Sequence, residues 1–320
     1  MKYYIGIDIG GTKIATIVAD KNMKILDRVE FPTKEVIVPE KAIDKMFEEI
    51  DKQLKKYTIN FEEIISFGIS CGGPLSSKRG LIMSPPNLPG WDNVEIVKKF
   101  EEKYGKKTYL QNDANACALA EWKKGGGKGY ENIVFLTFGT GMGAGLILNG
   151  KLYTGIDDMA GEVGHMRLAD KGPVGFGKAG SFEGFCSGGG IARLGEFIVE
   201  KRVKEGYDGK LKKLVEEKQL TTKDIALEGR AKDKVALEII EKSAEKLGMG
   251  LSILIDILNP EAIVIGSIFT RAEDLFKNKM EEVLEREALS ISLKRCKILK
   301  AELGEKIGDY GALITATGEY

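Results

Sequence analysis

The chain of 320 residues contains one histidine, His165. That rules against a metal site built on several imidazoles, and no Ser-His-Asp arrangement follows from the spacing of the other residues. Cysteine is nearly as scarce: Cys71, Cys117, Cys186 and Cys296 lie far apart and no C-x-x-C pair exists. Neither a disulfide framework nor a cysteine-rich zinc site is expected, and free, mostly buried thiols in a cytoplasmic protein are. No apolar run reaches the ~18 residues of a membrane span; the longest candidate, 249–258, is broken by Ser252 and Asp256. The first residues run straight into a strand-like segment, without the basic end, apolar stretch and cleavage site of a secretory signal. An excess of either charge is missing too: Lys+Arg and Asp+Glu both total 48. A neutral chain has no overall field to hold nucleic acid or anionic lipid, so neither is expected as a partner. Ser/Pro-rich linkers are absent, which favours lobes that pack closely and hinge.

What is present is the composition of a globular enzyme, 43% apolar and 30% charged, at a length that suits two lobes. Residues 3–8 read as a strand, 9–13 as a glycine turn and 14–19 as a second strand, together a hairpin; 24–30 can add a third strand. Ile43, Met46, Phe47, Ile50 and Leu54 recur at helical spacing within 40–57. A strand is predicted over 64–70 and a rigid loop over 84–90, where three prolines forbid helix. A helix follows over 93–104 and a strand over 107–110. Asn112-Asp113 then opens an Ala-rich helix that runs to about Trp122.

The next predicted elements are a strand over 132–138, a glycine turn over 139–145 and a returning strand from 146. The order strand, Gly-rich turn carrying Thr, strand thus occurs twice. It reads as an internal duplication, one hairpin per lobe, with the two turns facing across a cleft. Residues 160–190 are Gly-rich and irregular, the kind of long segment that carries function. The remainder is mostly helical. In 232–258, Val235, Ile239, Leu247, Leu251 and Leu254 share one side, and Asn259-Pro260 ends the helix. A strand over 262–266, a helix over 271–288, a short strand at 298–299 and a last helix over 309–317 complete the prediction.

Three segments have chemical content. Asp8 to Lys13 reads D-I-G-G-T-K. Gly10 and Gly11 let backbone approach phosphate oxygens, Thr12 adds a hydroxyl, Lys13 a charge, and Asp8 can hold Mg²⁺ through water. The segment is not a Walker A loop, since Thr12 precedes Lys13 and a hairpin rather than a helix follows; its plain structural reading is a tight turn. The run G-T-G-M-G-A-G from Gly139 to Gly145 fails the dinucleotide pattern at Ala144 and lacks the following helix, but suits a second phosphate cradle. Asn112-Asp113 stands where strand gives way to helix. Both residues are good N-caps; a catalytic reading needs the Asp113 carboxylate aimed into a cleft, with the helix N-terminus lowering its pKa. His165 follows Glu162 in a loop setting that suits ligand contact, Glu183 lies in the same segment, and Ser267 after a strand can approach a nucleotide base.

Taken together these segments resemble the ROK family (repressors, open reading frames, kinases). The resemblance rests on DIGGTK at 8–13, SPPNLPGW at 84–91, QNDANA at 111–116, GTGMGAG at 139–145, AGEVGH at 160–165, the Glu183 region and AIVIGS at 262–267, in order along the whole chain. It implies an α/β, two-lobed actin/hexokinase-like (ribonuclease H-like) fold with an interlobe cleft. The lobes are expected at 1–115 plus 306–320 and at 116–305. The implied activity is ATP- and Mg²⁺-dependent phosphorylation of a hexose or amino sugar on its terminal hydroxyl, glucokinase-like, by a homodimer or homotetramer. By the same resemblance Asp113 is the general base. Asn87, Asn112, Glu162, His165 and Glu183 contact the sugar. Asp8, Gly10, Gly11, Thr12, Lys13, Thr140, Gly141, Gly143, Gly266 and Ser267 serve the nucleotide, with Asp8 also serving Mg²⁺.

One departure from the family pattern matters. Many members bind structural zinc through the His of E-x-G-H and three cysteines; Val174, Phe176 and Ser181 stand at those cysteine places here. No zinc is therefore expected, and packing of Val174 and Phe176 is expected to hold the loop instead. Two alternatives accompany the kinase reading: a polyphosphate-dependent sugar kinase, and a sugar-binding regulator of the same family. The second is disfavoured by the retained Asp113 and by the two residues that precede the first strand, too few for a DNA-binding domain.

Overall fold

A computed structural model describes all 320 residues. In chain order the elements are β1 (Tyr3–Ile9), β2 (Lys13–Asp20), β3 (Ile25–Pro32), α1 (Pro39–Lys56), β4 (Ile64–Cys71), β5 (Leu75–Ser76), β6 (Leu81–Ile82), α2 (Ile96–Tyr104), β7 (Thr108–Asn112), α3 (Asp113–Lys124), β8 (Ile133–Phe138), β9 (Met142–Leu148) and β10 (Lys151–Tyr153). There follow β11 (Val174–Gly175), β12 (Lys178–Ala179), α4 (Phe182–Cys186), α5 (Gly188–Lys204), α6 (Lys210–Glu216), α7 (Thr222–Arg230), α8 (Lys234–Leu258), β13 (Ala262–Ile265), α9 (Ile268–Glu287), α10 (Ser290–Leu293), β14 (Lys297–Lys300) and α11 (Ile307–Thr315).

Two compact units result: Met1–Glu131 with Gly145–Ala160 and Glu302–Tyr320, and Asn132–Ala144 with Gly161–Ala301. The expected division differs. It cut at 115, inside α3, whereas α3 belongs whole to the first unit, as do 145–160 and 302–305. The physical reason is Glu121 near the end of α3. Its fully buried carboxylate accepts from the amides of Gly126 (2.8 Å), Glu302 (3.0 Å) and Leu303 (2.9 Å).

In the first unit β1 pairs antiparallel with β2 and β2 with β3, while β1, β4 and β7 run parallel, giving the order β3-β2-β1-β4-β7. The other five-stranded sheet has the order β10-β9-β8-β13-β14, again with a tight hairpin beside parallel strands. The two sheets correspond strand for strand, as the repeated hairpin signal anticipates. On α1 the predicted apolar positions Ile43, Met46, Ile50 and Leu54 are buried, and they join the β1, β4 and α2 side chains in one core. On α8, Asn259 adopts the left-handed conformation that stops the helix.

Differences from expectation are local. Helix α2 starts at Ile96, because Val94 first bridges Ile82. Helix α9 starts at Ile268, ahead of the predicted 271, with a non-helical Ala272 inside it. Strand β9 starts at Met142, so Gly143 and Gly145 are strand residues and the second turn is only 139–141. Residues 160–190 contain the β11–β12 hairpin and α4 rather than open loop. All four cysteines are unpaired, Cys71, Cys186 and Cys296 buried, and no helix is long and apolar enough to cross a membrane.

Helix α11 packs on β1 and β4 through backbone. A Cβ on Gly68 would collide with the Ala312 carbonyl and the Ala316 amide, and one on Gly6 would lie 3.1 Å from the Ala312 Cβ. This docking sets the position of the α11 N-terminus. Gly68→Val is therefore expected to lose at least ~1–3 kcal/mol by overpacking, read as a lower midpoint in thermal or urea denaturation. A midpoint equal to that of the parent would contradict the close docking.

Candidate functional site

In the first unit the C-terminal ends of β1, β4 and β7 converge. Asp8 lies opposite Ser70 in the β1–β4 register, and Cys71 opposite Asn112 in the β4–β7 register. The Ser70 hydroxyl, across this pairing, favours the ionised form of the Asp8 carboxylate, and a side chain at Gly308, in the first turn of α11, would strike that carboxylate. Asp309, 4% exposed, accepts from Arg28 Nε at 2.8 Å, and Arg28 also pairs with Glu30 at 2.7 Å. Glu30 in turn holds Lys13 at 3.0 Å. An ion-pair chain thus links the α11 N-terminus to the last residue of the DIGGTK segment.

Asn112 and Asp113 use both of the roles open to them in the sequence. Asn112 caps α3, its Oδ1 accepting from Ala114 N at 2.9 Å. Asp113 Oδ1 takes the same amide at 2.8 Å. The second oxygen is turned elsewhere: a Cβ on Gly72 would lie 3.8 Å from both Asp113 Oδ2 and Asn87 Nδ2. Asp113 keeps access to water yet is ringed by protein. That crowding raises its pKa and outweighs the amide contacts that lower it. The expected depression by the helix N-terminus is thus overturned. Asp8 is pushed to about 6, chiefly by burial and then by the Asp113 charge.

The first glycine turn carries unused donors. Gly10 N closes the turn on Lys13 O at 3.0 Å, and Thr33 Oγ1 donates to Gly10 O at 2.7 Å. The amides of Gly11 and Thr12 have no partner in the chain, and Gly11, Thr12 and Lys13 are exposed. Asn87 stands over this turn, its Cβ 2.6 Å from where a Gly11 Cβ would be. Asp8, Gly10, Gly11, Thr12, Lys13, Asn87, Asn112 and Asp113 are therefore brought together in the first unit.

The second unit gathers another set. Glu183 on α4 accepts from Met142 N at 3.1 Å and borders Gly141 and Gly164. It ties the second turn to the short 3-10 helix Val163–His165. Glu162 precedes that helix and His165 ends it, and both are exposed. Thr140 and Gly141 keep unpartnered amides, whereas Gly143 gives its amide to Thr137 Oγ1 at 2.8 Å. Ser267 holds a strained backbone, φ 52 and ψ −108, and its Oγ lies 3.3 Å from a Cβ built on Gly139. Gly266, just before it, is buried.

Sequence reasoning missed the start of α5: Gly188 N donates to Gly139 O at 2.7 Å, and Thr222 Oγ1 to Gly188 O at 2.6 Å. The S-G-G-G run at 187–190 was the available signal. It missed Ser70, Arg28 and Asp309 as well, for which no local signal exists.

The expected packing of Val174 and Phe176 does not occur; they are 47% and 73% exposed. The loop is held by side chains donating to its carbonyls: Lys178 Nζ to His165 O (2.7 Å), Arg193 Nη2 to Val174 O (2.8 Å) and Arg167 Nη1 to Ala179 O (2.8 Å).

Free turn amides suit phosphate oxygens, and a buried carboxylate whose ionisation a second carboxylate, Asp113, makes costlier favours a nearby cation. The free amides therefore fit the phosphates of a nucleoside triphosphate; no group of three or more His, Cys, Asp and Glu side chains could hold a metal ion by itself, so Mg²⁺ would be shared between Asp8 and those phosphates.

The ROK family model matches residues 4–319. A glucokinase of Halalkalibacterium halodurans is 31% identical over 316 residues, covering 97% of this chain and 93% of that protein. A xylose repressor of Caldicellulosiruptor bescii is 29% identical over 304 residues, 94% of this chain and 75% of its own length. Among solved structures, that of a ROK family glucokinase from Streptomyces griseus in complex with glucose and AMPPNP is similar at a TM-score of 0.77 and 27% identity, over 99% of either chain.

The Asp8 shift carries a stability consequence. The folded chain keeps a proton on Asp8 that the unfolded chain releases, so stability falls as pH rises from 3.8 to about 6. Asp8→Asn removes that loss and is expected to be more stable than the parent at pH 7, by on the order of 3 kcal/mol. Denaturation curves across this pH interval test it; parallel curves for parent and variant would show that Asp8 ionises normally.

Proposed function

Because the chain belongs to the ROK family and has its actin-like two-domain α/β fold, we propose that it is an ATP-dependent sugar kinase acting on the terminal hydroxyl of a hexose or amino sugar, with glucose the first candidate. The observation that carries this reading is that Asp113 Oδ2 and Asn87 Nδ2 both border Gly72, each 3.8 Å from a Cβ built there, while Asn87 also covers the amide-bearing turn at Gly11. Asn87 thus adjoins both the acceptor-activating carboxylate's side of Gly72 and the phosphate cradle.

In the proposed reaction Asp113 accepts the proton of the sugar hydroxyl as its oxygen bonds to the γ-phosphorus of ATP. The bond from that phosphorus to the β,γ-bridging oxygen breaks, ADP leaves and sugar phosphate forms. A raised pKa brings Asp113 nearer the working pH, where a general base is most effective. Asn87 and Asn112, and from the second unit Glu162, His165 and Glu183, supply hydrogen bonds to sugar hydroxyls. The amides of Gly11, Thr12, Thr140 and Gly141, with Lys13, hold phosphate oxygens. Gly10 shapes the first turn, Gly266 and Ser267 adjoin the adenosine end, and Gly143 supports the second turn from within its strand. Mg²⁺, held by Asp8 through water, would neutralise charge on the phosphates.

A sugar-binding regulator is the second reading, favoured by the similarity to the xylose repressor. A coupled assay of ADP release with glucose, mannose, allose, fructose and N-acetyl hexosamines separates the two, with polyphosphate as an alternative donor. Asp113→Asn is expected to lose at least ~10²-fold in kcat while calorimetric sugar affinity changes less than about threefold. Near-parent turnover in the variant would remove Asp113 as the base. A parent that binds sugar but transfers no phosphate from either donor would favour the regulator.

A further inference from the structure

Phe176 is the least economical residue of the second unit. It is a large apolar side chain, 73% exposed, so its surface gains nothing from burial in the chain. It occupies the first connecting position of the β11–β12 hairpin, with φ 42, and Gly177 follows with φ 75. Two consecutive positive φ values make this the type of turn in which Asn, Asp or Gly is favoured, because a larger side chain meets its own backbone there. A residue that is strained and also exposed is retained by something outside the folding of the turn.

The turn that carries the ring is anchored on both sides. Its hairpin is closed by Gly180 N on Pro173 O at 3.0 Å and anchored by Arg193 on the Val174 carbonyl at 2.8 Å. Gly175 lies so close to α4 that a Cβ there would sit 2.5 Å from Gly184 N, next to Glu183. Lys178, on the returning strand, holds the His165 carbonyl at 2.7 Å. The Phe176 ring meets the His165 ring edge to face, with centroids 6.3 Å apart and planes at 75°. An exposed aromatic face thus stands beside the exposed imidazole, on a hairpin whose backbone packs against that of Glu183, all in one unit.

We propose that Phe176 is a sugar-contacting, specificity-determining residue whose ring stacks on the C–H face of a pyranose while His165 and Glu183 take its hydroxyls. The proposal rests on the kinase reading for the identity of the ligand. A pyranose has the matching polarity: axial C–H groups make its faces apolar, and equatorial hydroxyls make its rim polar. Glucose keeps its hydroxyls at C2, C3 and C4 equatorial. Mannose and allose each place one axial, which sets a hydroxyl against an aromatic ring if it falls on the stacked face. Phe176 therefore favours glucose over such epimers.

The test uses Phe176→Asn, which suits the turn, with Phe176→Tyr as the ring-preserving control. Phe176→Asn is expected to keep or raise the thermal midpoint while weakening glucose binding, measured by calorimetry without nucleotide, roughly five- to tenfold. The preference for glucose over mannose in kcat/KM should shrink, and the KM for ATP should stay within about twofold. Phe176→Tyr should retain parent values. Parent-like sugar affinity and selectivity in Phe176→Asn overturn the stacking role and leave the kinase reading intact. A parent that binds sugar without phosphorylating it overturns the kinase reading and leaves stacking to be judged by affinity. A parent that binds none of these sugars overturns both.

Discussion

Electrostatic crowding at the ends of β1, β4 and β7 is the constraint around which the first unit is organised. Asp113 and Asp309 both act on the buried Asp8 there, and Arg28 offsets them only partly. Folding brings these charges together at a cost that an apolar corner would not incur. The sheet and α11 accept it because their own packing is tight: glycines at 6 and 68 let helix backbone lie on strand backbone. The proposed chemistry draws on this unfavourable arrangement, since a carboxylate held above its ordinary pKa is a better proton acceptor near neutrality, and unneutralised negative charge attracts a cation.

How much of this was legible in the sequence depends on the range of the interactions involved. Local rules reached the β1–β2 hairpin, the face of α1, the length of α8 and its left-handed stop at Asn259, and the cap at Asn112. They failed where a residue answers to a distant neighbour. Gly143 and Gly145 alternate with other residues in a way that reads as a turn. Yet Gly145 is glycine in a strand because Ala118 and the Ala114 carbonyl of α3 leave no room for a Cβ. The unit boundary was misplaced for the same reason, as no local signal tells that Glu121 collects amides from 302 and 303. The Asp113 shift went in the unexpected direction because helix capping is a local effect and desolvation is not.

The candidate site divides along the same line. Its motif residues, Asp8 to Lys13, Asn112, Asp113 and the 139–141 turn, carry recognisable spacing. The residues that orient them do not: Ser70 is one serine in an apolar strand, and Arg28 is one cation among 48 basic residues. The two sheets repeat the same strand order, so each presents a glycine turn between equivalent strands. What surrounds each turn differs, with Asn87 over one and Glu183 beside the other.

Glu121 shows how chemically narrow a purely architectural position can be. Each partner it meets is a backbone N–H, so the site demands an acceptor with two oxygens and tolerates no donor. Glutamine has the same shape but would turn an NH₂ group towards those amides, and aspartate is one methylene too short. Drift at this position is thus closed off by hydrogen-bond polarity alone, in a residue that has no part in the proposed reaction.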